Sequence, residues 1–208
     1  MMQGKRIDLK HYPRKEHFHY FMNMAYPYVG TTVNVDITGW MHRRAEMGIP
    51  FFLGFLHAVG NAANEITALR QRIDQEGIVE FEQCKASYTV GLEDGTYCYC
   101  SVSCDRPLDE FIAYARKEQE SAMKNPTISD GEEPLSLLFI SSLPWLSYTS
   151  LVQPVPIPAD SNPRITWGKY FEQEGKILIP VSILCHHALV DGIHLSQFYD
   201  HLKERLII

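Results

Sequence analysis

The sequence has no apolar run near eighteen residues, so nothing in it predicts a membrane-spanning helix. Its first residues, MMQGKRIDLKHYPRKEHF, lack an apolar h-region. No secretory signal is expected, and the cytoplasm is the expected compartment. The five cysteines (Cys84, Cys98, Cys100, Cys104 and Cys185) are odd in number and lack the C-x-x-C spacing of a zinc site. Cys98 and Cys100 alternate along an expected strand, the pattern of packing residues in a reducing compartment. Excess positive charge is also missing. A net charge of −6 argues against nonspecific nucleic-acid binding, where lysine and arginine must displace counterions. A small anion held by one or two local lysines stays open. Internal repeats, low-complexity tracts and long linkers are absent as well.

What is present is enough apolar material for a full core: 45% of 208 residues, read as one domain over 1–208. Residues 33–40, VNVDITGW, alternate as a half-buried strand does. Residues 50–69 carry Phe52, Phe55, Leu56, Val59 and Ala63 at helical spacing behind Pro50. Residues 86–104 read as two strands around a Glu93-Asp94-Gly95 turn. Residues 107–124 form a second expected helix, with Phe111, Ala115 and Ile112 facing in and Asp109 and Glu110 in its first turn. Strands are expected over 135–145 and 176–187, the latter buried on both faces, and a final helix over 193–206. With no regular βαβ alternation, the pattern predicts an α+β fold with a mostly antiparallel or mixed sheet.

The stretch CHHALVDGIH (185–194) interrupts that last strand where packing residues belong. The four-residue spacing from His187 to Asp191 lets the chain double back, so imidazole and carboxylate share a small volume. A histidine there suits a general base near neutral pH, a role worth roughly 10²–10⁴-fold in rate. Two other readings stand beside it. One is a polar turn without chemistry. The other is a metal site built from His186, His187, Asp191 and His194, although neighbouring strand residues face opposite ways.

CHHALVDGIH resembles the His-His-x-x-x-Asp-Gly signature of the chloramphenicol acetyltransferase family, shared with dihydrolipoamide acyltransferase catalytic domains. KHYPRKEHFHYF (10–21), ISSLPWLSYTS (140–150) and ITWGKYFEQEGKILIPVSI (165–183) resemble further blocks of that family, in the same order and with similar spacing. The resemblance implies a two-layer sandwich with a mixed, mostly antiparallel sheet flanked by helices. It implies an O-acetyltransferase moving acetyl from acetyl-CoA, as co-substrate and without a metal, to a hydroxyl of chloramphenicol or a similar small acceptor, the chemistry of antibiotic resistance. His187 matches the general base, held by its own backbone carbonyl. Asp191 matches a residue that pairs with Arg14 in a buried ion pair that shapes the site. Ser141 matches the oxyanion donor, and Thr166 a threonine holding a water against the same intermediate. Lys169 is a candidate contact to a CoA phosphate, and Trp145 one to its pantetheine or adenine part, beside the alternatives of a solvated lysine and a packed indole. His17 and His186 are expected to be structural. A homotrimer is implied, with His187 of one subunit opposite the acceptor pocket of the next.

Departures from the family fall on that pocket, expected from Phe21, Ala25, Val29, Tyr99 and Ser101. Phe21 stands where tyrosine is common, Ala25 and Val29 where larger residues are, and Pro27 replaces a small one. Tyr99 and Ser101 replace phenylalanine and alanine. Around 42–50 the chain is shorter, and a lysine for the CoA phosphate is missing. These changes keep open a same-fold acyltransferase for an unrelated hydroxyl or thiol metabolite, and a non-catalytic acyl-CoA-binding relative. The dihydrolipoamide reading is weaker, since no lipoyl domain or Pro/Ala linker is present.

Overall fold

In the computed structural model, residues 4–131 and 133–207 are described. In chain order the elements are β1 (Lys5–Ile7), α1 (Lys15–Met22), β2 (Tyr28–Asp36), α2 (Thr38–Glu46), α3 (Phe51–Asn64), α4 (Thr67–Arg70), β3 (Gln71–Asp74) and β4 (Gly77–Glu80). Then follow β5 (Lys85–Gly91), β6 (Tyr97–Val102), α5 (Leu108–Lys124), β7 (Leu137–Leu143), β8 (Arg164–Gly168), β9 (Phe171–Gln173), β10 (Lys176–His186) and α6 (Gly192–Arg205).

Seven strands make the main sheet, in the order β2-β10-β8-β7-β5-β6, with β9 added to β10. Only β5–β7 and β7–β8 are parallel among its pairs. The expected α+β class with a mixed, mostly antiparallel sheet is thus what forms. A small antiparallel sheet, β1-β4-β3, stands apart, and neither it nor α1 was marked by the sequence pattern.

Strand alternation sorts the sheet into two faces. One buries Tyr88, Ile140, Ile165, Trp167, Val181 and Ile183. The apolar α3 covers it: Phe52 meets Tyr88 and Trp167 at ring distances of 5.3 and 5.5 Å, and Phe55 meets Trp167 at 5.1 Å. α5 and α6 flank α3. Burying a phenylalanine or tryptophan contributes ~1.5–3 kcal/mol each, so this layer carries much of the stability. The opposite face carries serines and threonines, the candidate site residues Ser141 and Thr166 among them.

Two expected boundaries moved. The strand read over 33–40 runs from Tyr28 to Asp36; the Asp36 carboxylate then accepts from the Thr38 N–H (3.0 Å) and hydroxyl (2.6 Å), turning the chain into α2. The helix read over 50–69 stops at Asn64. The buried Asn64 amide donates to the carbonyls of Gly60 and Cys84 and accepts the Cys84 N–H, which pins the helix end against the start of β5. Ile66 is then extended, and α4 is a separate turn. The hairpin formed as expected, β5 and β6 joining through Gly95 at φ +83°.

Candidate active site

β10 is held on both sides by β2 and β8 and ends at His186. The chain then turns through His187–Val190 into α6. His187 Nδ1 lies 2.9 Å from the carbonyl oxygen of Val190. The carbonyl is not its own, as the family pattern implied: the turn folds Val190 back beneath the ring. A carbonyl only accepts, so Nδ1 carries the proton and Nε2 keeps its lone pair. The ring stacks on Phe21 of α1 at 3.8 Å and 17°. The His187 backbone N–H donates to Pro27 O at 2.7 Å.

Asp191 is the N-cap of α6. Its carboxylate accepts the Gly192 N–H, and its own N–H donates to His194 Nδ1 in a capping box. Arg14 Nη1 reaches Asp191 Oδ2 at 3.0 Å. The Arg14 guanidinium, with the Gly192 N–H, holds the Asp191 carboxyl below the usual carboxylate range. The pair is not buried as expected: the Asp191 side chain is 43% exposed and that of Arg14 18%. Capping a helix that starts at the surface leaves the carboxylate partly in water.

His186 is buried, and burial pushes it down to about 4. Its Nδ1 accepts the Ala188 N–H at 3.2 Å. His17, also expected to be structural, is exposed on α1. Backbone groups engage the Nδ1 atoms of His186, His187 and His194. Among the described residues, a cluster close enough to hold an ion is instead Glu65, His201 and Glu204, where Arg205 and His201 already pair with Glu65.

The second group lies across the sheet. Registers place Thr32 opposite Ser182, Ser182 opposite Thr166, and Thr166 opposite Ser141. This makes a row of hydroxyls over four strands. Thr32 and Ser182 share a 2.7 Å hydrogen bond. Tyr148, in the loop after β7, donates to the Thr166 carbonyl at 2.9 Å and takes the Ser182 hydroxyl at 3.4 Å. The loop comes this close because position 168 is glycine, where a Cβ would stand 2.6 Å from Leu146 O.

Loop and sheet enclose a cavity of about 500 Å³, lined by Ser141, Thr166, Tyr99, Gln153, Asp160 and Arg164, with apolar neighbours such as Phe139 and Leu151. Arg164 grips Asp160 through two 2.8 Å bonds, and Tyr28 donates to the same carboxylate at 3.0 Å. Asp130 also lines it, and burial with nearby Asp160 raises its carboxyl above the ordinary value. Gln153, Tyr148, Asp160 and Arg164 went unmarked in the sequence. Only the strand register and the returning loop bring them to the hydroxyl row.

Of the five expected pocket residues, only Tyr99 lines this cavity. Phe21 sits with His187, Val29 packs against the core, and Ala25 and Ser101 are exposed. Trp145 is 78% exposed and Lys169 is exposed at the end of β8; the Lys169 N–H donates to Leu146 O at 2.7 Å, placing both on one rim.

His187 does not line the cavity. It lies five residues beyond Ser182, the strand neighbour of Thr166, which is about 17 Å at the rise of a β-strand. Within one chain the imidazole therefore lies away from the Ser141 and Thr166 hydroxyls.

The family model for chloramphenicol acetyltransferase matches residues 2–203. The chain belongs to the chloramphenicol acetyltransferase family. A relative from Campylobacter coli, named chloramphenicol acetyltransferase, is 31% identical, covering 99% of this chain and 99% of its own. One from Clostridium perfringens is 28% identical over 98% of this chain and 94% of its own. A solved chloramphenicol acetyltransferase superposes with a TM-score of 0.90 at 28% identity, covering 98% of this chain and all of that one. The mixed sheet with its helical layer is therefore the chloramphenicol acetyltransferase fold. Among the described residues no helix is long and apolar enough to cross a membrane.

Proposed function

We propose that the protein is a single-domain, cytoplasmic O-acetyltransferase that moves acetyl from acetyl-CoA to a hydroxyl of chloramphenicol or a similar small acceptor. The observation that carries this is the Nδ1 contact of His187 to Val190 O, which in the neutral ring leaves the lone pair on Nε2, at the end of a strand held on both sides. His187 Nε2 takes the hydroxyl proton as the oxygen attacks the thioester carbon. Ser141, whose hydroxyl has no protein partner among the described residues, donates to the resulting oxyanion. His187 then returns the proton to the departing thiolate, giving free CoA thiol and the acetyl ester. Lys169 and Trp145 would hold the phosphate and the pantetheine or adenine part of CoA from the rim. Arg14 and Asp191 keep the turn that carries His187.

The distance between His187 and Ser141 supports a homotrimer in which a second copy brings its imidazole to this cavity. The lining by Asp130, Asp160, Arg164 and Gln153 favours a second reading, in which the acceptor is a more polar hydroxyl compound than chloramphenicol. The deciding experiment is thiol release from acetyl-CoA with chloramphenicol, for the native protein and His187→Ala. Release that falls by 10²-fold or more in the variant, roughly the worth of a general base, supports the reaction and the acceptor. Release that survives the substitution removes His187 as base. Release only with polar hydroxyl compounds selects the second reading.

A further inference from the structure

The Thr166 hydroxyl donates to Gln153 Oε1 at 3.1 Å. Its proton is thus committed to a protein group rather than to a water facing substrate. The carboxamide that accepts it has two N–H bonds on Nε2, and among the described residues neither has a partner. Gln153 is half-buried and lines the cavity with Ser141 and Thr166, beside Leu143, Leu151 and Pro154.

We propose that Gln153 is a catalytic hydrogen-bond donor to the tetrahedral oxyanion, with Thr166 as the residue that positions it. The assignment rests on the acetyl-transfer reading above. Ser141 and Thr166 stand opposite each other on adjacent strands, about 4.8 Å apart, and Thr166 holds Gln153, so the Ser141 hydroxyl and the Gln153 amide line the same cavity. When the attacking oxygen bonds to the thioester carbon, the carbonyl electron pair moves onto oxygen. Ser141 Oγ–H and Gln153 Nε2–H then share that charge. When the C–S bond breaks, the pair returns to the carbonyl and the thiolate leaves with it neutralised by His187. Gln153 forms no covalent bond and loses no proton.

The test measures kcat and KM with chloramphenicol, and acceptor-free hydrolysis of acetyl-CoA, for Gln153→Leu, Gln153→Glu, Thr166→Val and the Thr166→Val/Gln153→Leu double variant. Hydrolysis passes through the same oxyanion with water as acceptor. Both Gln153 variants are expected to lose about 10²-fold in kcat with KM for acetyl-CoA unchanged, since one removes the amide and the other leaves only acceptors. Thr166→Val is expected to lose less, and the double variant to be no slower than Gln153→Leu. Native kcat in Gln153→Leu, a change confined to KM, or multiplicative losses in the double variant would overturn the assignment. A native protein that releases no thiol from acetyl-CoA with chloramphenicol, with polar hydroxyl compounds or with water would overturn the acetyl-transfer reading and this assignment together.

Discussion

Arg14 Nη2 donates to the backbone carbonyl of His187 at 3.3 Å, although 173 residues separate them, while Nη1 of the same guanidinium holds Asp191. One side chain from the entry to α1 thereby fixes both ends of the turn that presents the imidazole. The exposure of Asp191 limits what the ion pair contributes to stability.

Asp191→Asn keeps a side chain that caps α6 and loses the charge. Its melting temperature is expected to fall little, because exposed pairs contribute about 0–1 kcal/mol. Asp191→Ala also loses the cap and should cost about 0.5–2 kcal/mol. Both should lower kcat, since the turn loosens. Thermal melts beside thiol-release rates check this; a large stability loss in Asp191→Asn would mean that the pair is effectively buried.

A mixture of two inactive variants should regain activity. Co-expressed His187→Ala and Ser141→Ala chains would assemble some sites with an intact imidazole from one copy and an intact hydroxyl from another. Thiol release well above the sum of the separate variants is expected, and none is expected if each chain is self-sufficient.

The buried His186 is expected to shape acid stability. Its folded value, about 4, lies below the ordinary 6.5, so between the two the unfolded chain binds the extra proton. His186 thus contributes fully above pH 6.5, and its contribution shrinks as pH falls toward 4. Burial lowers His57 as well, and acts in the same direction. Denaturant midpoints for the native protein should decline across this window, and those of a well-folded His186→Gln should decline less.

Gly168→Ala would set a Cβ 2.6 Å from Leu146 O, 2.8 Å from Tyr148 Cε1 and 2.9 Å from Pro180 Cγ. Overpacking of this kind costs about 1–3 kcal/mol. Because backbone is among the neighbours, the loop rather than a side chain must yield. A lowered melting temperature together with a raised KM for acceptor is expected; calorimetry and initial rates read the two.

How much of this was legible depends on the range over which each feature is determined. α5, β10 and the β5–β6 hairpin were readable to within a few residues, because periodicity and the Asp-Gly turn are local signals. The break after Asn64 was not, since it comes from a buried amide bonded to Cys84, twenty residues on. The His187 turn announced itself by interrupting a buried strand. Ser141 and Thr166 carried no such mark by themselves; the family resemblance named them, and the register of β7, β8 and β10 shows them side by side. Tyr99 was placed in the cavity by its strand, but Ser101, two residues on, is exposed on the edge strand β6. Gln153 sits between Val152 and Pro154 in a segment without periodicity, so only the folded loop reveals its partner.

The hydroxyl row is fixed in four hydrogen-bonded strands, whereas much of the cavity wall belongs to the irregular segment between β7 and β8. Substitutions in that segment can alter what enters without disturbing the ladder beneath it. Apart from Gln153, that segment therefore gives selection for a new acceptor residues to work on that are separate from the groups proposed to handle the thioester. A lineage could change its acceptor many times while its sheet stays the same.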